Sequence, residues 1–134
     1  MKNESKTRLV GAAAVVLLLS LIAASNASAD ENTEQLLSSS GFKTKSATTA
    51  EQQRQLERLP EGKVSIVHQD GQTYYVYADR KNKQIYVGNK DQYKKFDGDL
   101  KRQPDADAMV YKVYNKRGYP VEVREFHGWG PLGE

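Results

Sequence analysis

Two runs rich in β-branched and aromatic residues, 64–67 and 73–78, flank the dipeptide Asp70-Gly71. A two-residue hairpin turn needs positive φ at its central positions, which Gly adopts freely and Asp tolerates. A turn at Asp70-Gly71 fixes the register: Val67 faces Tyr74, Ile66 faces Tyr75, Ser65 faces Val76 and Val64 faces Tyr77. One face of the hairpin then carries Val64, Ile66, Tyr75 and Tyr77, the better core face, and the other carries Ser65, Val67, Tyr74 and Val76. Beyond the polar stretch 79–84, Ile85, Tyr86 and Val87 suit a third strand that Gly88 ends. An isolated hairpin is marginal, so a three-stranded antiparallel meander under a helical cover is expected.

The rest of the chain supplies that cover. Asn32 to Leu37 followed by Ser38-Ser39-Ser40-Gly41 reads as a short helix closed by a left-handed glycine. Residues 42–46 alternate as an edge strand whose lysines discourage further pairing. Thr48 and Glu51 have the spacing of a capping box opening a helix over 49–59, with Leu56 and Leu59 as its narrow apolar stripe before Pro60-Glu61-Gly62 breaks it. Asn89 is placed to cap a helix from Lys90 in which Tyr93, Phe96 and Leu100 share one face. Gly98 weakens that helix, which ends at Asp97 or runs on to Arg102. Residues 103–107 resemble a linker. Beyond them, 110–114 and 121–124 alternate as a second hairpin, and the glycine-rich end, 126–134, is expected to be mobile. The expected fold is therefore α+β: an antiparallel sheet of three to four strands with two or three short helices over residues 30–102, then an extension over 103–134.

The amino terminus points to export. Lys2, Lys6 and Arg8 precede an apolar run over 9–24, and Ala27-Ser28-Ala29 supplies the small residues that a signal peptidase reads. The run is shorter than a comfortable membrane span, so cleavage before Asp30 and a periplasmic or secreted location are expected, with membrane attachment only through an uncleaved signal segment. The chain contains no cysteine, which excludes disulfides and a lipidated amino-terminal Cys. Residues 1–29 hold three of the 20 basic and one of the 17 acidic residues, leaving the exported part a net charge of +1. The overall basic balance is thus no argument for nucleic acid.

No catalytic constellation stands out. Cys nucleophile, Gly-x-Ser-x-Gly elbow, phosphate-cradling loop and His-Glu-x-x-His are all missing, and no cofactor or metal is expected. The histidines are His68 and His127, and an enzyme would have to bring His68 together with Asp79 or Asp91. The pattern with functional promise is Arg80, Lys81, Lys83, Lys90, Lys94 and Lys95, interleaved with Tyr86, Tyr93 and Phe96. In an exported protein these cations suit anionic lipid head groups, phosphorylated glycans or an acidic envelope protein, although charge runs more often serve solubility. A non-catalytic binding module is the expected function. The alternatives are a small periplasmic enzyme and an inhibitor or accessory subunit acting by strand addition.

Several of these stretches recur together. Leu36-Leu37-Ser38-Ser39-Ser40-Gly41-Phe42, the run 47–60 with Glu51-Gln52-Gln53, Tyr74-Tyr75-Val76-Tyr77-Ala78-Asp79, and Tyr86-Val87-Gly88 before Tyr93 resemble a group of small exported bacterial proteins of unknown function. The resemblance spans Leu36 to about Phe96 and implies no activity. Some members of that group carry cysteines in the loop after the Tyr-Ala-Asp element or a lipidated amino-terminal Cys. This chain has neither, which argues against a redox, metal or lipid-anchored role.

Overall fold

A computed structural model describes residues 29–133. The expected export segment lies outside the described residues, apart from Ala29. The fold is α+β, a five-stranded mixed sheet with four helices among the described residues. In chain order these are α1 (Ala29–Ser39), β1 (Lys43–Ser46), α2 (Ala50–Arg58), β2 (Val64–Gln69), β3 (Gln72–Asp79), β4 (Gln84–Gly88), α3 (Lys90–Lys101), α4 (Ala106–Val113) and β5 (Val121–Glu122). The strands lie in the order β1-β4-β3-β2-β5, antiparallel except for β5, which runs parallel to β2.

The turn between β2 and β3 has φ of 51° at Asp70 and 76° at Gly71, and the pairs Val64–Tyr77, Ile66–Tyr75 and Val67–Tyr74 follow in the register that turn imposes. Gly41, at φ 99°, ends α1: its N–H reaches the Ser38 carbonyl and the Phe42 N–H reaches that of Leu37, the paired bonds that satisfy helix-end carbonyls. β1 pairs along β4 as an outer strand. α3 opens at Asn89, whose side chain accepts from Gln92 N while the Gln92 side chain accepts from Asn89 N, and it runs through Gly98 to Lys101.

Three expectations are corrected. The capping box of α2 is built one residue later, on Thr49 and Gln52. A glutamine at that position accepts the amides of Thr48 and Thr49 through Oε1 and still donates from Nε2 to Gly128, which a carboxylate cannot do. Residues 106–113 form a helix rather than a strand of a second hairpin, because Met109 and Val113, four residues apart, bury one face in the core. The end of the chain is packed: Trp129 and Leu132 are 4% and 5% exposed.

The sheet therefore has a core on each face. Val64, Tyr75, Tyr77 and Tyr86 meet Leu37, Phe42, Phe96, Leu100, Met109, Val113 and Tyr114 beneath α1, α3 and α4. On the opposite face Val67, Val76, Ala78, Ile85 and Val87 meet Leu56 and Leu59 of α2 together with Trp129 and Leu132. The face expected to be the lesser one is thus equally sealed.

Candidate binding surface

The six cations do not form one patch. Arg80 is bound to the end of α2: its guanidinium donates to the carbonyls of Glu57 and of Leu59 (2.9 Å) and pairs with Glu61 at 3.1 Å. Lys83 sits at φ 50° in the β3–β4 turn, beside Lys81. β4 separates that turn from Lys90, and five strand residues span roughly 17 Å. On α3, Lys95 pairs with Asp99 at 3.3 Å, while Lys90 and Lys94 are exposed. The Lys95 ammonium beside Asp99 holds its carboxyl below the usual range.

Among the described residues, the exposed large apolar side chains lie instead in the last turns of α4 and just beyond its carboxyl end. Tyr111 is 73% and Tyr119 66% exposed. Tyr111 leaves the outer side of α4, since Met109 and Val113 take the inner one. Tyr119 closes a turn organised by Asn115, whose N–H donates to the Tyr119 carbonyl (2.8 Å) and whose Oδ1 accepts from Arg117 N (2.9 Å) and Tyr119 N (3.1 Å). Gly118 supplies the positive φ this turn needs, 83°. With the bond from Gly118 N to the Asn115 carbonyl (2.9 Å), four hydrogen bonds fix the backbone on which this turn presents Lys116, Arg117 and Tyr119.

Between this turn and the Pro60–Lys63 loop runs a groove of about 380 Å³, lined by Pro60, Lys63, Tyr111, Asn115, Lys116 and Val121 among others. Lys63 joins its two walls, donating to the carbonyls of Lys112 (3.0 Å) and Tyr114 (2.9 Å). That places a cation on the negative end of α4 and leaves an apolar floor with Lys63 and Lys116 around it. Sequence reading missed this surface because residues 110–114 looked like a strand, which scatters Tyr111 and Lys116 across a sheet.

The carboxylates and histidines occupy other places. Asp79, 3% exposed, orders the β3–β4 turn by accepting from Asn82 Nδ2 and Gln84 Nε2, both at 2.9 Å. His68 contacts Thr73 Oγ1 (3.2 Å) at the hairpin tip, while Asp79 ends β3 about 20 Å away, so this pair cannot act together. His127 Nδ1 lies 2.7 Å from Glu51 on α2. Among the described residues no three His, Asp or Glu side chains converge as a metal site.

Comparison of the chain with protein-family models, with curated proteins and with solved structures finds no match.

Proposed function

We propose that this chain is an exported bacterial envelope protein, released by cleavage before Asp30, that acts by binding rather than by catalysis. In this reading it belongs with the small exported proteins whose sequence features it shares. Its binding surface is the Tyr111–Tyr119 end, and its partner is a phosphate-bearing anionic envelope component. The observation that carries the reading is an apolar groove lined by exposed Tyr111 with Lys63 and Lys116 in its walls, one wall belonging to the turn that carries exposed Tyr119. Tyrosine and basic side chains on a pre-ordered turn are the groups that bind such partners at low entropic cost.

The test uses the exported chain with two probes, phosphatidylglycerol-containing vesicles and soluble poly(glycerol phosphate), which separate a lipid source from a polymer source. Binding to at least one is expected, falling as salt rises. It is expected to weaken at least fivefold in Tyr111→Ser/Tyr119→Ser and in Lys116→Glu/Arg117→Glu. Binding to neither probe, or binding weakened by Lys90→Glu/Lys94→Glu and untouched by the other variants, contradicts the reading.

A second reading is strand addition. β1 ends the sheet and pairs only with β4 among the described residues. An extended partner segment would extend the ladder there.

A further inference from the structure

The segment 126–133 lies on the α2 face of the sheet as a ligand lies in a site. Among the described residues, the backbone bond from Val123 N to the Ile66 carbonyl, 3.1 Å, is the last that ties the chain to the sheet. From there the described segment is held by side chains of the groove acting on its main chain. Gln52 Nε2 donates to the Gly128 carbonyl (2.8 Å), Lys45 Nζ to that of Pro131 (2.8 Å) and Gln69 Nε2 to that of Gly130 (2.9 Å). Gln69 Oε1 accepts from Leu132 N (3.0 Å), and Gln55 Oε1 accepts from His127 N (3.2 Å). Contacts to carbonyls and amides recognise the course of the backbone, which turns through positive φ at Gly128 (85°) and Gly130 (68°) and so favours glycine on each side of the aromatic anchor. Specificity lies in the anchors Phe126, Trp129 and Leu132, three residues apart, with Phe126 and Trp129 stacked at 6.0 Å.

The resident segment fills this groove incompletely. The Trp129 Nε1 is buried with no hydrogen-bond partner among the described residues. An orphaned buried donor is unfavourable and would be relieved by an occupant that supplies an acceptor or reorients the ring. A void of about 80 Å³ remains between α2 and the segment beside Phe126 and His127, and a cleft of about 140 Å³ continues past Leu132 between Tyr74, Asn89 and Gln92. The groove is thus longer than the part of the tail that fills it.

We propose that this groove is a peptide-binding site, occupied in cis by residues 126–132, that takes a segment of a partner protein bearing an aromatic residue flanked by glycines and an aliphatic residue three positions later. A tethered occupant acts at an effective concentration of order millimolar, so a partner must bind correspondingly more tightly than the tail to displace it. The tail therefore sets a threshold for partner binding.

The test is carried out on the full exported chain with a fluorescein-labelled peptide of the tail sequence, Glu-Phe-His-Gly-Trp-Gly-Pro-Leu-Gly-Glu, and a panel varied at its Trp and Leu. Trp129→Ala releases the tail, and that variant is expected to bind the peptide at least tenfold more tightly than the unsubstituted chain. Adding Gln69→Ala is expected to weaken the binding at least fivefold, and the panel to prefer aromatic and aliphatic anchors. Equal binding by both chains, or none by a Trp129→Ala variant of native circular dichroism, overturns the proposal. If that variant fails to fold, a protease site placed between Arg124 and Glu125 is cut after folding. Retention of the tail in gel filtration, followed by its exchange for excess peptide, is the expected result, and a cut tail that does not exchange overturns the proposal. Dimerisation of the unsubstituted chain by tail exchange would assign the groove to a second copy and overturn the partner named here.

Discussion

Arg80 shows how a residue that reads as a surface charge becomes a piece of construction. Its guanidinium serves the carbonyls that α2 leaves unsatisfied at its end, and so joins the β3–β4 turn to that helix. Arg80→Ala is expected to destabilise the fold by about 1–2 kcal/mol in urea unfolding, since hydrogen bonds from a charged donor that remains partly exposed fall at the lower end of their range. Lys94→Glu, on the exposed side of α3, is expected to shift stability by less than about 0.5 kcal/mol. Equal effects would contradict the assignment. The difference was not legible in the sequence, where Arg80 and Lys94 occur in one basic run; it arises because α2 ends beside the turn that carries Arg80. Asp70-Gly71, by contrast, was legible from the dipeptide alone, since the chemistry of positive φ is local.

At the scale of elements, legibility followed the range of the interactions. The hairpin and α3 rest on neighbours in the chain, and the sequence placed them closely. α4 did not, because Met109, Val110, Tyr111 and Val113 suit a strand as well as a helix; burial against the Phe96–Leu100 side of α3 decides between them. The joint between these elements is a tyrosine cluster. Tyr75 of β3 stacks on Tyr93 of α3 at 4.0 Å, Tyr93 meets the ring of Tyr114 edge-on at 6.3 Å, and Tyr114 Oη donates to Asp97 at 2.6 Å. Burial pushes the hydroxyls of Tyr75, Tyr93 and Tyr114 above their ordinary value, and Tyr114 furthest, helped by its bond to Asp97. An unfolded chain loses these protons near pH 10 while the folded chain keeps them, so the stability they give is complete below about pH 10 and is lost as pH rises beyond it. The far-ultraviolet circular dichroism is expected to collapse above that pH in the same step in which the buried tyrosinate absorbance appears. Ionisation of the cluster with the sheet intact would contradict this.

For the molecule as a whole, the unexpected property is that both faces of so small a sheet are sealed. β3 carries the explanation in its sequence: Tyr75-Val76-Tyr77-Ala78 is apolar at every position, as a strand covered on both sides must be. What the sequence did not show is the source of the second cover, because residues 126–133, rich in Gly and held by side chains from β1, α2 and β2, lack the periodicity that announces an element. The seated tail underlies both the second core and the peptide site, and the chain has a single tryptophan, Trp129, to report on it. Its fluorescence in the native protein tests the account most directly. Emission shifted to the blue, weakly quenched by acrylamide, and moving red in the same urea transition that melts the sheet is the predicted result. Red, freely quenched emission from the native protein would show that the tail is not seated on the sheet.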